Sequence, residues 1–561
     1  MKKRILIISI WVIWANVAFC AKTQPDAVYH LIKKEYKINP DGSMDYHFRK
    51  EMQLFSHDAF FNRYGETLIP YNTEFQTLTI NEAYTIRKDG SKVETPANAF
   101  NPSLPSGCTL CERFNNIREM VVTHTALEYD ATIVLDYTIH TVPMFISSLM
   151  ETIDLYESVP IEKYEVSVTL PHFLNLMYKL NYYGVSLEPV KAKGQDSTYT
   201  FHWTFTELPQ KPSDKNLPRG YLPDLNLTTF ASPADFVENW GFQNSFAVDN
   251  HDFCKTQVSN LTAGLKTDLD KVFVIRHYVH DVIHTNEVPL QRMNYIVASP
   301  SLVWKTNCGT RLEKDLLLTT MLKAAGIRAE FGILYEYLMK DPESAVRIMV
   351  DGEEFFITSS SESEYSLSVD KAGDSFISMR GEIVPFKMEN TNVEVSAKVN
   401  VIVKDGNAMA DVQVDKSEIR SPKAMTMKAS EPNVARTRIE KLGNGYFALE
   451  VSNGYYGCPV KSFDIQRNRQ LPVAVSPVQE SYSYTIRLPA NARCITQPYH
   501  IEKQADFGRM IVEMFQNGNA ITMVRSLALD ENFIEGKKQI RQLREMLSEW
   551  NAEKKLVFQC K

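Results

Sequence analysis

The sequence predicts an α+β chain of several domains: a β-sandwich-like N-terminal domain, a central α+β core, and a C-terminal β domain with a terminal helix. Three observations carry this. Stretches of strand length alternate apolar and polar residues on both sides of the centre, a Pro-rich connector separates the first block from the second, and the middle of the chain has helical periodicity. At 561 residues, with 44% hydrophobic and 23% charged side chains, the chain has an ordinary globular composition and length enough for about three domains.

Residues Ala27 to Leu208 read as β-rich. Tyr29 to Ile38 and Met44 to Leu54 flank the turn Pro40-Asp41-Gly42-Ser43, and Leu78 to Arg87 runs into Asp89-Gly90-Ser91. Ala131 to His140, Lys163 to Leu170 and Ser197 to Phe205 continue the pattern, as in a sandwich. The connector runs from Leu208-Pro209-Gln210-Lys211-Pro212 to Pro218 and Pro223. The expected organisation is therefore a leader at 1–20, a β domain at 25–225, a core at 226–383 and a second β domain at 384–561.

In the core, Asp268 to His284 reads as a helix capped by Thr267 with Asp270, its apolar side formed by Val272, Phe273, Ile275, Val279, Val282 and Ile283. His277, His280 and His284 fall near one face. Asp281 points away from that face and no fourth ligand is at hand, so no metal is expected and the histidines read as the helix's solvated side. Next comes Asn307-Cys308-Gly309-Thr310, a loop opening into a helix with Leu312, Leu316, Met321 and Leu322 at helical spacing. Gly326 stops the helix, and Ile327 to Tyr335 returns as a strand. Unpaired amides and the helix dipole favour a thiolate at such an N-terminus, where Cys308 lies.

From Val384 the chain returns to strands. Val393 to Val403 alternates for six steps into Asp405-Gly406-Asn407, and Ala410, Val412 and Val414 come back as the partner strand. Tyr482 to Leu488, Met510 to Phe515 and Ala520 to Val524 extend the block. Ile540, Leu543, Leu547 and Trp550 mark an amphipathic helix, and Leu556 to Phe558 a last strand.

The segment Gly309-Thr310-Arg311-Leu312-Glu313-Lys314, with its leucines and Gly326-Ile327, resembles the core of the transglutaminase-like (papain-like) superfamily, whose bacterial members carry Gly-Asp-Cys-x-Asp-Lys there. The β-rich blocks on either side are similar to the domain of unknown function and the closing β domain that flank such cores in envelope proteins. The resemblance implies a Cys-His-Asp triad. Ungapped alignment puts Arg311 on the nucleophile position, with Cys308 three residues early, and the following strands put Glu343, Ser344 or Ala345 on the His position, Ser344 taken as the central choice, and Thr358 on the Asp position. A thiol nucleophile needs an adjacent imidazole and a group to orient it, so the triad reads as degenerate.

The net charge of −7, without a basic patch, excludes nucleic acid as a partner. Lys2, Lys3 and Arg4, the apolar run Ile5 to Trp14 and the small residues ending at Ala21 form a signal peptide, implying export to the periplasm or cell envelope. Membrane attachment is expected only if Cys20 is lipidated. Seven further cysteines leave at least one thiol free, and Cys108-Thr109-Leu110-Cys111 reads as a loop staple or free pair.

Ser359 to Glu364 reads as a solvated loop, and Lys340-Asp341-Pro342 as a loop at the mouth of the resembled site. Arg311 is expected to pair with Glu313 or a strand carboxylate, and Thr310, Arg311 and Glu313 together form a candidate ligand cleft. Two functions follow. One is a non-catalytic envelope protein that binds a peptide, glycan or partner protein without any cofactor. The other is a cysteine-dependent amide-bond hydrolase or acyl transferase using Cys308, with His277 or His280 as a displaced base.

Overall fold

The structure is a computed structural model that describes residues 24–109, 111–194, 197–335, 342–360, 375–386, 391–419, 434–451 and 460–560. The leader, Cys20, Lys340, Asp341 and the run Ser361 to Glu364 lie outside the described residues. The described chain is mostly β, with its helices concentrated in the middle.

The N-terminal part is an eight-stranded sheet faced by two three-stranded sheets. Its centre is the hairpin Ala27–Ile38 and Met44–Leu54, closed where Asn39 N donates to Ser43 O and Gly42 takes φ +85°, a backbone that suits glycine. Ala27–Ile38 also pairs in parallel with Ile161–Pro171. Ile32, Tyr36, Ile38, Met52 and Leu54 turn into the core with Trp203 and Phe205. Two lysines, Lys34 and Lys50, fall at the same alternate positions of the hairpin as these apolar residues.

Among the described residues, the middle of the chain carries five α-helices: α1 (Pro233–Trp240), α2 (Lys255–Leu261), α3 (Asp268–Val282), α4 (Pro300–Thr306) and α5 (Arg311–Ala324). A five-stranded antiparallel sheet with Arg328–Tyr335 at its centre follows. The central helix α5 is buried on every side from Leu312 to Leu322. Leu317, Leu318, Met321 and Leu322 pack with Phe273 and Val279 of α3 and with Val346 and Ile348 of the sheet. Gly326, at φ +81°, ends α5 as its sequence anticipates.

The predicted helix Asp268 to His284 is shorter than expected. It ends at Val282, whose side chain is 40% exposed rather than in the core, and Ile283 turns to extended backbone. His284 therefore leaves the face shared by His277 and His280 and enters a two-residue parallel pairing with Cys308. Asp281 lies beside His280, 2.8 Å from Oδ1 to Nδ1, instead of pointing away from the histidines.

The C-terminal part is built on a seven-stranded sheet containing the hairpin Thr391–Lys404 and Asn407–Ile419, reversed at Asp405 and Gly406 with both φ positive. Helix α6 (Lys537–Trp550) buries Ile540, Leu543, Leu547 and Trp550 against that sheet, and Lys554–Cys560 is the last strand. Among the described residues, no helix is long and apolar enough to cross a membrane.

Candidate functional site: the N-terminus of α5

Local backbone chemistry sets the entry to α5. Asn307 closes α4 in left-handed backbone, φ 52°, and Cys308 and Gly309 then run beside His284 and Thr285. Thr310 is the N-cap: its Oγ1 accepts from Glu313 N at 3.3 Å while the Glu313 carboxylate accepts from Thr310 N at 2.8 Å, a reciprocal capping box. Glu313 also accepts from Ala298 N at 2.7 Å and from Arg113 Nη2, 2.6 Å from each carboxylate oxygen. Only 1% of Glu313 is exposed, and two amides with a guanidinium match its buried charge. Thr310 and Glu313 are thus committed to the cap and to Arg113, which corrects their assignment to an open ligand cleft.

Arg113 belongs to the N-terminal sheet region, on a segment of two short turns, Ser106–Cys108 and Glu112–Phe114. This segment lies over the start of α5. Cys111 forms a disulfide with Cys308 across 197 residues of sequence, with Cα atoms 6.1 Å apart, while Cys108 stays a buried free thiol in the same apolar cluster. The Cys108-x-x-Cys111 pair is therefore not a local staple, since Cys111 reaches to the core instead. Cys308, the nucleophile of the enzymatic reading, carries no thiolate while this bond is intact.

At the nucleophile position Arg311 points outward. Its Nε and Nη2 donate to the Glu287 carboxylate at 2.7–3.0 Å, and both side chains are 61% exposed. The partner is therefore Glu287, neither Glu313 nor a strand carboxylate. Such an exposed pair contributes little, on the order of 1 kcal/mol or less.

One turn further, Asp315 is buried and accepts from Ser344 Oγ at 2.7 Å, from Ser359 N and Oγ at 2.6 Å each, and from Thr358 Oγ1 at 3.3 Å. Burial pushes its carboxyl above the usual carboxylate range, and the donors from Ser359, Ser344 and Thr358 only partly offset this. Ser344 and Thr358, which stand at the resembled His and Asp positions, thus meet on a carboxylate that the sequence reading passed over. Ser359 is fully buried, which corrects its expected place in a solvated loop.

Between the two acids, Lys314 Nζ donates to His280 O, Ile283 O and Thr285 Oγ1 at 3.1, 2.7 and 2.9 Å, capping the C-terminal end of α3. Burial pulls its ammonium down to about 8. Arg276 of α3 donates from Nε to Thr358 O at 2.7 Å and ties that helix to the same strand end. The run Glu313-Lys314-Asp315 inside an otherwise apolar helix is the sequence signal for this arrangement. Three successive charges on a helix buried all round must each find a partner indoors. Nothing local in sequence pointed to Arg113 as the partner of Glu313, to Cys111 as that of Cys308 or to Glu287 as that of Arg311. Among the described residues, no group of three or more His, Cys, Asp or Glu side chains is arranged to hold a metal ion.

Fold and site together describe a multidomain β-rich chain whose N-terminal region reaches across to seal the start of a buried central helix. Its two ends match family models, both domains of unknown function: DUF3857 over residues 40–210 and DUF3858 over residues 446–558. Among solved structures, a proposed protease from Parabacteroides distasonis is 26% identical, with a TM-score of 0.74, over 95% of this chain and 99% of that one. A proposed cysteine protease from Cytophaga hutchinsonii is 9% identical over 71% of this chain and 97% of that one; its TM-score of 0.20 is too low to support any argument. No curated protein matches the chain.

Proposed function

We propose that this protein is an exported, non-catalytic member of the transglutaminase-like group, a binding or scaffold protein of the cell envelope for peptide, glycan or protein partners. One observation carries the reading. The start of α5, where a thiolate would have to be presented, is occupied by Arg311 facing outward, by Cys308 joined to Cys111, and by the N-terminal segment that delivers Cys111 and Arg113. A long-range disulfide also suits an oxidising compartment, which agrees with the leader-like first twenty residues.

The catalytic alternative keeps one specific support besides the proposed activity of the Parabacteroides protein. His284 is the register partner of Cys308, so reduction of the disulfide would free a thiol beside an imidazole-bearing residue. Iodoacetamide labelling of the full chain after mild reduction separates the readings. Labelling of Cys308 at the rate of an ordinary thiol, rising only above pH 8, is expected for the binder. Fast labelling that follows a single low pKa would overturn it.

A further inference from the structure

A cavity of about 230 Å³ lies between the N-terminal sheet region and the turn Leu290–Met293, away from the α5 N-terminus. Its wall includes the inner face of the Ala27–Ile38 and Met44–Leu54 hairpin, where Lys34 and Tyr36 stand two residues apart and Tyr46 is the register partner of Tyr36. The rings of Tyr36 and Tyr46 are 4.9 Å apart, and Tyr137 meets Tyr46 edge-on at 6.2 Å. From the opposite side come Gln291 and Arg292. Arg292 Nη1 donates to Pro70 O at 2.9 Å, and Gln291 Nε2 donates to Glu151.

Of the ionisable acids and bases lining this space, Lys34 and Arg292 are cationic and Glu151 alone is anionic. Burial pulls the Arg292 guanidinium below its usual value, so the site costs energy to keep charged. Burial opposes the Lys34 charge too, yet Tyr164, Glu151 and Glu157 hold its ammonium above the usual value, Tyr164 and Glu157 acting from outside the lining. A lysine at an inward position of a central strand, a partly buried arginine and a single carboxylate in the same wall give the lining itself an excess of positive charge that an anion would meet, with Glu157 and Glu119 acting from behind it. The tyrosine rings and hydroxyls add the apolar faces and hydrogen-bond partners that a polyhydroxylated ring requires. The volume lies below the roughly 300–1,000 Å³ of pockets that take drug-sized ligands, which limits the occupant to about one sugar ring.

We infer that this cavity between the N-terminal region and the helical core binds a single acidic sugar, its carboxylate held by Lys34 and Arg292 and its ring set among Tyr36, Tyr46 and Tyr137. The inference stands apart from the non-catalytic reading, because the α5 N-terminus could be inert or active with this cavity filled or empty.

The test is calorimetric titration of the full chain with D-glucuronate, D-galacturonate and N-acetylneuraminate, with D-glucose and acetate as controls. At least one acidic sugar is expected to bind ten-fold or more tightly than both controls. Lys34→Met is expected to weaken that binding at least ten-fold, and Tyr137→Phe, which keeps the ring and removes only a hydroxyl, several-fold with the thermal transition unmoved. Absence of binding by all three acids overturns the inference. So does acetate binding as tightly as the sugars, which would mark a simple anion site, or undiminished binding in folded Lys34→Met and Tyr137→Phe proteins.

Discussion

The start of α5 and the cavity beside Lys34 both lie where the N-terminal sheet region meets the helical core, and they handle buried charge in opposite ways. At α5 the charged groups of the helix and its cysteine each have an internal match: Glu313 with Arg113 and two amides, Lys314 with three oxygens, Asp315 with four donors, and Cys308 with Cys111, although the side-chain amide of Asn286, buried beside Gly309, has none among the described residues. In the cavity wall two cations stand with one carboxylate, Glu151, while Glu157 acts on Lys34 and Glu119 on Arg292 from outside it. A helix start whose charges are matched internally offers a charged substrate little to bind, whereas a wall that keeps charge next to a void offers more. The contrast points away from the resembled active site as the place where this protein meets its ligand.

The contrast can be broken most forcibly by opening the seal. Cys111→Ser removes a crosslink spanning 197 residues, for which the chain-entropy model gives about 5 kcal/mol. A large fall in the first thermal transition is expected, with faster proteolysis of the segment around Ser106 to Phe114. Next in size, Glu313→Ala should cost about 3–5 kcal/mol, because Arg113 and the amides of Ala298 and Thr310 lose a shared buried partner. Urea unfolding followed by tryptophan fluorescence reads it, and a loss below about 1 kcal/mol would mean that the ion pair is not closed in solution.

Lys50 sharpens the comparison as a buried cation whose hydrogen bond goes to a hydroxyl and not to a carboxylate. Its Nζ donates to Thr67 Oγ1 at 2.7 Å, and burial pulls its ammonium down to about 8. The folded pKa lies below the unfolded value near 10.5, so between about pH 8 and 10.5 the unfolded chain binds more protons. Stability contributed at this site therefore rises with pH across that window, and below it the full penalty of roughly 3 kcal/mol applies. Lys50→Met should flatten this rise and stabilise the protein at pH 7, as measured by denaturant midpoints at pH 7, 9 and 10. The smallest effect belongs to the exposed Arg311–Glu287 pair: Arg311→Ala should shift stability by less than about 1 kcal/mol.

Much of the β architecture was legible in the sequence because strand alternation and turn residues are local signals. The hairpin at Asp405-Gly406 and the one around Gly42 both fall where their patterns put them. The end of α3 was less legible, since Val282, Ile283 and His284 continue an apolar-polar rhythm that the extended backbone of Ile283 interrupts. At the candidate site, the cap of α5 could be read from Thr310-x-x-Glu313, but its partners could not. Arg113, Cys111 and Glu287 are brought in by tertiary packing from segments 24 to 200 residues away, which leave no trace in a local window. Asp315 was readable in principle as a charge among leucines. The inward position of Lys34 was equally plain in the alternation of Ile32, Lys34, Tyr36 and Ile38 once the buried face was known.

The proposal that α5 supports no catalysis is tested most directly by incubating reduced full-length protein with fluorescently labelled casein, beside Cys308→Ser under the same conditions. The account predicts no cleavage by either protein above the buffer rate. Cleavage by the parent chain that disappears in Cys308→Ser would contradict it.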